Sequence, residues 1–155
     1  MNKYHDQDHL QHYRERHIGR LLLRAHRDFS ARAAELLHEH GYPRISLQHI
    51  DLLPHIDVGG TRTTVLAGRA RMTKQGMGKL VAELEQQGLV KRVPDPSDGR
   101  AMLVGFTDAG MACLATAVDV VQSLEAEYLS ILGQHRLDEL RETLAMLGGN
   151  ATNGQ

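Results

Sequence analysis

Apolar residues recur at spacings of three and four between Leu10 and His40. Ile18, Leu21, Leu22, Ala25, Phe29, Ala33, Leu36 and Leu37 alternate with Arg and Glu, a period that predicts one long amphipathic helix. Gly41 and Pro43 end it. Ser46 is placed to cap a second helix reaching Ile56, with Leu47, Ile50, Leu53 and Ile56 inward and Pro54 expected to kink or end it early. Gly59-Gly60 is a turn, after which Thr61 opens a short helix carrying Val65, Leu66 and Ala70. Thr73 caps a fourth helix whose inner stripe is Met77, Leu80, Val81 and Leu84, closed by Gly88. Two short strands, 89–93 and 101–106, flank the turn formers Pro94-Asp95-Pro96-Ser97-Asp98-Gly99-Arg100, which predicts a long hairpin loop. Thr107, with Asp108 in the first turn, starts a long helix to about Leu132. Gly133 breaks it, and a last helix runs from about His135 to Leu147.

Helix, helix, helix, helix, hairpin, helix, helix is a mainly α order with a small β-hairpin. Two helices about a tight turn followed by a two-stranded hairpin make a winged helix-turn-helix. The expected division is a helical dimerisation region over 1–45 and 107–147, a winged unit over 46–106 and a flexible tail over 148–155. The terminal helices carry apolar stripes that a small winged unit cannot cover alone, and a second copy of the chain is the economical way to bury them.

The formal charge of the 155 residues is −1, which argues against a nucleic-acid binder until it is mapped along the chain. Residues 1–60 balance, eight basic against eight acidic. Residues 61–100 hold eight basic and only four acidic side chains, and 101–155 hold two against seven. A local cationic excess is the footprint of a phosphate-binding segment. One cysteine, Cys113, excludes an intramolecular disulfide, and the polar first residues lack the apolar core of a secretory signal. No apolar run approaches the ~20 residues of a membrane span. A cytoplasmic protein without a membrane role is expected.

Specific motifs concentrate between residues 61 and 110. Leu66-Ala67-Gly68-Arg69 precedes the fourth helix, which ends Leu84-Glu85-Gln86-Gln87-Gly88-Leu89-Val90. Asp95-Pro96-Ser97-Asp98-Gly99-Arg100 and Thr107-Asp108-Ala109-Gly110 follow. This series closely resembles the MarR family of bacterial transcription regulators, where such elements form the recognition helix, the wing and the start of a dimerisation helix. The resemblance implies a homodimer on pseudo-palindromic double-stranded DNA, usually as a repressor. It also implies a small lipophilic or phenolic effector between the helical region and the winged unit. Arg100 matches the residue that enters the minor groove, and Asp98 the carboxylate that orients it. Gly99 stands where a basic residue is common.

The residues themselves support DNA contact. Cations on phosphates supply affinity, and side chains at base edges supply specificity. The helix capped by Thr73 offers Lys74, Gln75, Gly76, Gly78 and Lys79 away from its apolar stripe. Gln75 suits bidentate pairing with adenine, and the lysines suit guanine or phosphate. Gly76 and Gly78 each cost about 1 kcal/mol against Ala in a helix. Either a close approach of backbone to DNA or relief of crowding against the preceding helix would account for them. Arg62, Arg69, Lys91 and Arg92 are candidate phosphate contacts.

Candidates to line an effector pocket, where the first, second and post-wing helices converge, are His17, Leu21, Arg24, His26, His49, Leu53 and Met111. Ten histidines raise the question of metal sensing, with His5, His9 and His12 on one face and His38 and His40 at a helix end. Zinc wants a closed set of four ligands. The resemblance implies that a zinc sensor would draw histidines from the start of the helix after the wing, where residues 107–117 contain none, so no metal and no cofactor are expected. Cys113, amid Ala112, Leu114 and Ala117, reads as a packing thiol. No nucleotide loop, nucleophile elbow or metal-hydrolase motif points to an enzyme. The competing reading is a dimeric interaction or metal-sensing protein of the same fold with weak or no DNA binding.

Overall fold

The computed structural model describes residues 7–149, without the side chains of residues 7–10 and 12. His5 and most of the tail lie outside the described residues, as do the side chains of His9 and His12. The elements are α1 (Gln7–Arg16), α2 (Ile18–Glu39), α3 (Leu47–Leu52) with a 3-10 turn at Leu53–His55, β1 (Thr61–Arg62), α4 (Thr63–Arg69), α5 (Lys74–Gln86), β2 (Val90–Asp95), β3 (Asp98–Phe106), α6 (Asp108–Leu132) and α7 (Gln134–Gly149). Contacts group the chain into two compact units, Met1–Ala117 and Val118–Gln155.

The single first helix expected from Leu10 is two. His17 has an extended backbone (φ −67°, ψ 146°), and its Nδ1 accepts the Arg20 N–H at 3.2 Å, capping α2. Its ring stacks on Tyr13, the centroids 5.2 Å apart. The break falls where the apolar period begins, at Ile18. Farther along α2, Ala33, Ala34 and Leu37 are buried, whereas Ile18, Leu21, Leu22 and Leu23 stay exposed.

Ser46 caps α3 reciprocally with His49, and the helix gives way to the 3-10 turn at Pro54, as the ring's missing N–H requires. Leu47, expected inside, is exposed; Leu52 takes the core position beside Leu53 and Ile56. Thr61 does not start a helix. It pairs with Val104, and Arg62 with Leu103, as a two-residue strand on the far side of β3, giving an antiparallel sheet of order β1-β3-β2. The Thr61 hydroxyl accepts the Asp57 N–H at 2.8 Å and donates to the Asp57 carboxylate at 3.0 Å, which ties the preceding turn to the strand.

The hairpin is tighter than expected. β2 continues through Asp95 and β3 begins at Asp98, leaving Pro96-Ser97 as the tip. Pro94 is tolerated because β2 is an edge strand, and the register shifts just after it. The inner stripe of α5 (Met77, Leu80, Val81, Leu84) is buried with Leu66, Ala67, Leu89, Val90 and Val104, forming the core of the winged unit.

Helix ends in this unit share one device. After α2, Gly41 and Tyr42 donate to the carbonyls of His38 and Leu37. After α5, Gly88 and Leu89 donate to those of Glu85 and Leu84. Each pair turns on a left-handed glycine, φ 95° at Gly41 and 73° at Gly88. After α4 the same pair of bonds runs from Arg71 to Gly68 and from Met72 to Ala67, but the left-handed residue is Arg71, at φ 51°.

α6 begins as expected, with the Thr107 hydroxyl accepting the Gly110 N–H at 3.0 Å. Gly133 separates it from α7 at φ 76°. α7 runs through Gly148 to Gly149, past the end expected at Leu147. Cys113 is fully buried, and burial pushes its thiol up to about 11, consistent with a packing role.

Candidate nucleic-acid interface

Two helices joined by the turn at Arg71-Met72-Thr73 carry the candidate reading surface. The Thr73 hydroxyl accepts the Gly76 N–H at 3.1 Å, so α5 starts with a satisfied cap and its first turn stands clear of the core. Lys74, Gln75 and Lys79 are exposed, opposite the buried stripe. The two glycines differ. A Cβ on Gly76 would lie 3.1 Å from the Thr73 hydroxyl, whereas one on Gly78 would meet nothing within 4 Å. Crowding therefore does not account for Gly78.

Ion pairing sorts the eight cations of residues 61–100 into two groups. Arg62 is bound to Asp95 and Asp98, Arg69 to Asp57 at 2.9 Å, and Arg92 to Glu85 at 3.4 Å. Lys79 lies 3.9 Å from Glu83. Arg69 also donates to the His55 carbonyl at 2.7 Å. Among the described residues, Arg71, Lys74, Lys91 and Arg100 have no carboxylate partner, and all four are exposed. These four side chains are the cations of the segment that a phosphate could meet without displacing a carboxylate. Arg71 was not among the expected contacts; the signal for it was in the charge count but not in any motif.

At the wing, Asp98 does not hold the Arg100 guanidinium. Its Oδ1 accepts the Arg100 backbone N–H at 3.2 Å, and its Oδ2 lies 3.6 Å from Nη2 of Arg62. Asp95 is the more deeply engaged carboxylate. The Ser97 N–H (2.8 Å) and hydroxyl (2.7 Å) donate to its Oδ1, and Arg62 donates to its Oδ2. The bonds from Ser97, and then that from Arg62, bring the Asp95 carboxyl down to about 2.

Behind α5 lies a buried histidine. Nδ1 of His49 accepts the Ser46 N–H at 3.1 Å, which in the neutral ring leaves the proton on Nε2, facing Oε2 of Glu83 at 3.1 Å. Burial lowers the His49 pKa from 6.5 and outweighs the opposing pull of Glu83. Of the other pocket candidates, Leu53 is buried. His17, Leu21, Arg24, His26 and Met111 are exposed, with His26 3.4 Å from Asp51. Among the described residues no hydrogen bond or ion pair joins any two of the seven. An open cleft of about 360 Å³ lies beside the turn before α5, lined by Gln48, Asp51, His55, Arg69, Arg71 and Met72 among others. No group of three or more His, Cys, Asp or Glu able to hold a metal occurs among the described residues.

The model of the MarR family matches residues 40–101, the span from just after α2 to the first half of β3. An uncharacterized HTH-type transcriptional regulator of Mycobacterium bovis is 31% identical over 104 residues, covering 66% of this chain and 73% of that protein. The chain belongs to the MarR family. Solved structures of MarR-like fold agree. A protein of Pseudomonas aeruginosa described as a probable transcriptional regulator superposes with a TM-score of 0.71 at 25% identity, over 86% of this chain and 98% of its own. The transcriptional repressor CouR, solved on a 23-mer DNA duplex, superposes with a TM-score of 0.67 at 27% identity, over 85% and 92%. CouR from Rhodococcus jostii RHA1 is also known bound to p-coumaroyl-CoA. This MarR-family chain is a DNA-binding transcriptional regulator. No helix among its described residues is long and apolar enough to cross a membrane.

Proposed function

We propose that the chain is a ligand-responsive repressor that binds pseudo-palindromic duplex DNA as a homodimer. The observation that carries this reading is the first turn of α5, where Lys74 and Gln75 stand exposed beside a capped N-terminus while the other face of the helix is buried. Such a helix can enter a major groove with Gln75 at an adenine edge, Lys74 and Lys91 at phosphates and Arg100 in the adjoining minor groove. Dimerisation is supported by apolar side chains left exposed on the terminal helices: Ile18 and Leu21–Leu23 on α2, Val118, Val121, Leu129 and Ile131 on α6, and Leu140, Leu144 and Leu147 on α7. CouR, a repressor solved both on DNA and with an acyl-CoA, supports repression and a small effector.

Genomic footprinting with the purified protein tests the reading. Protection of a pseudo-palindrome with half-sites about one helical turn apart is expected, with Gln75→Ala lowering the ratio of specific to non-specific affinity by about 1–3 kcal/mol. Sedimentation should find a dimer. A stable folded monomer at micromolar concentration, or the absence of any protected site, would overturn the proposal. A compound screen for release from the protected site tests the effector. No release by any class of small acid or acyl thioester would leave a constitutive repressor.

A further inference from the structure

We infer that Arg62 does not meet DNA but is the positioning residue that sets the wing, clamping both of its strands from the third strand of the sheet. The inference rests on the DNA-binding reading above. Arg62 is held in the ladder by its pairing with Leu103, in the half of β3 away from the tip, so its side chain works from the base of the wing. From there its Nε and Nη2 reach Oδ2 of Asp95, at the end of β2, at 2.7 and 2.6 Å. Nη2 also lies 3.6 Å from Oδ2 of Asp98, at the start of β3. The other oxygen of each carboxylate faces the tip. Oδ1 of Asp95 holds Ser97, and Oδ1 of Asp98 holds the Arg100 backbone N–H.

Two paths therefore lead from β1 into the wing: hydrogen bonds through Asp95 to Ser97, and a 3.6 Å ion pair with Asp98, which in turn accepts the Arg100 backbone N–H. Two nitrogens of one planar guanidinium converge on a single oxygen, Oδ2 of Asp95, which fixes the direction of the contact in a way that the rotating ammonium of a lysine does not. Asp95 is buried although it lies beside a segment meant for an anionic surface. With one oxygen on Ser97 and the other on Arg62, it offers DNA no free negative charge. Arg62 is also the N-cap residue of α4, yet its side chain makes no capping bond. A Ser, Thr or Asp there would cap the helix, so the side chain present serves the wing instead.

The test uses the full-length protein, fluorescein-labelled random-sequence duplex DNA, and Arg62→Met, Arg62→Lys, Asp95→Asn and Arg100→Ala variants. A phosphate contact at Arg62 predicts that Asp95→Asn, which removes a negative charge and frees the guanidinium, tightens binding. The clamp predicts the opposite. Asp95→Asn and Arg62→Met should each weaken binding by about tenfold, the weight of one charge-assisted hydrogen bond, with Arg62→Lys between them and wild type. In the Arg100→Ala background Arg62→Met should add less than twofold, because its effect passes through Arg100. Tighter binding by Asp95→Asn, or full additivity with Arg100→Ala, would overturn the inference. Amide exchange in the DNA-free protein separates it from the functional reading. Faster exchange across residues 95–101 of Arg62→Met, with α5 unchanged, supports the clamp even if the wild type binds no duplex. Unchanged exchange there refutes it whatever the DNA result.

Discussion

Substituting Ala for Gly110 sets two effects of opposite sign against each other. Gly110 lies in the first turn of α6, where helix propensity alone favours Ala by about 1 kcal/mol. A Cβ there, however, would fall 1.8 Å from the Leu89 carbonyl oxygen, 2.8 Å from its carbon and 3.2 Å from a ring carbon of Phe106. The carbonyl is not free to retreat. It accepts the Thr107 N–H at 3.1 Å, while the N–H of Leu89 is held by Leu84 at 3.0 Å. Restoring ordinary contact requires the helix and the segment leading into β2 to part by more than ~1 Å, at an overpacking cost of about 1–3 kcal/mol. Loss of the Thr107 bond adds about 1 kcal/mol. The steric effect wins, and the net destabilisation is about 1–3 kcal/mol, a fall in Tm of roughly 3–10 °C for a chain of this size. Circular-dichroism melts at matched protein concentration would read it. A Gly110→Ala protein melting at or above wild type would show that this segment and the helix are not packed as described.

At Gly78 the same substitution meets no atom within 4 Å; Gly78→Ala should raise stability by about 1 kcal/mol in urea unfolding while weakening DNA binding, and unchanged DNA affinity would remove the close-approach explanation. Arg71→Gly should relieve the left-handed backbone and, after the added flexibility of the unfolded chain, leave the protein up to about 1 kcal/mol more stable; a clear loss of stability would contradict the strain assigned to φ 51°. Because burial holds the His49 pKa below 6.5, the unfolded chain takes up a proton that the folded one resists. Stability should therefore fall as pH drops below about 6.5, and His49→Gln should flatten that part of the urea-midpoint profile; an equally steep profile in the variant would place the titration elsewhere.

Much of this architecture was legible in periodicity because helices bury a stripe at fixed local spacing. Met77, Leu80, Val81 and Leu84 lie in the core where the pattern put them, and the caps at Ser46, Thr73 and Thr107 follow from short-range bonding. What escaped the sequence is non-local. Thr61-Arg62 is a strand only because β3 lies beside it, and two residues carry no period. The short wing tip depends on Asp95 gripping Ser97 and being gripped from thirty-three residues away by Arg62. His17 interrupts a helix through its own ring, a choice that spacing of apolar residues cannot register. The basic excess was visible, but which cations remain available was not, since pairing is settled by distances. The Thr-x-x-Gly element could be matched as a motif, yet its physical basis, the Leu89 carbonyl against Gly110, needed coordinates.

The sorting of cations into paired and unpaired sets bounds the thermodynamics of association. Only a cation not already neutralised by a carboxylate can displace a counterion from the phosphate backbone without first breaking a bond within the protein. Among the described residues the winged unit has four such groups, Arg71, Lys74, Lys91 and Arg100. If all four meet phosphate, log Kobs falls by about 3.6 per decade of salt for each winged unit, or about 7 for two units on one duplex. A doubling of ionic strength then costs a two-unit complex roughly a hundredfold in affinity, largely as released ions returning to solution lose their entropic advantage. On that condition the salt dependence of binding is set by four side chains of each winged unit.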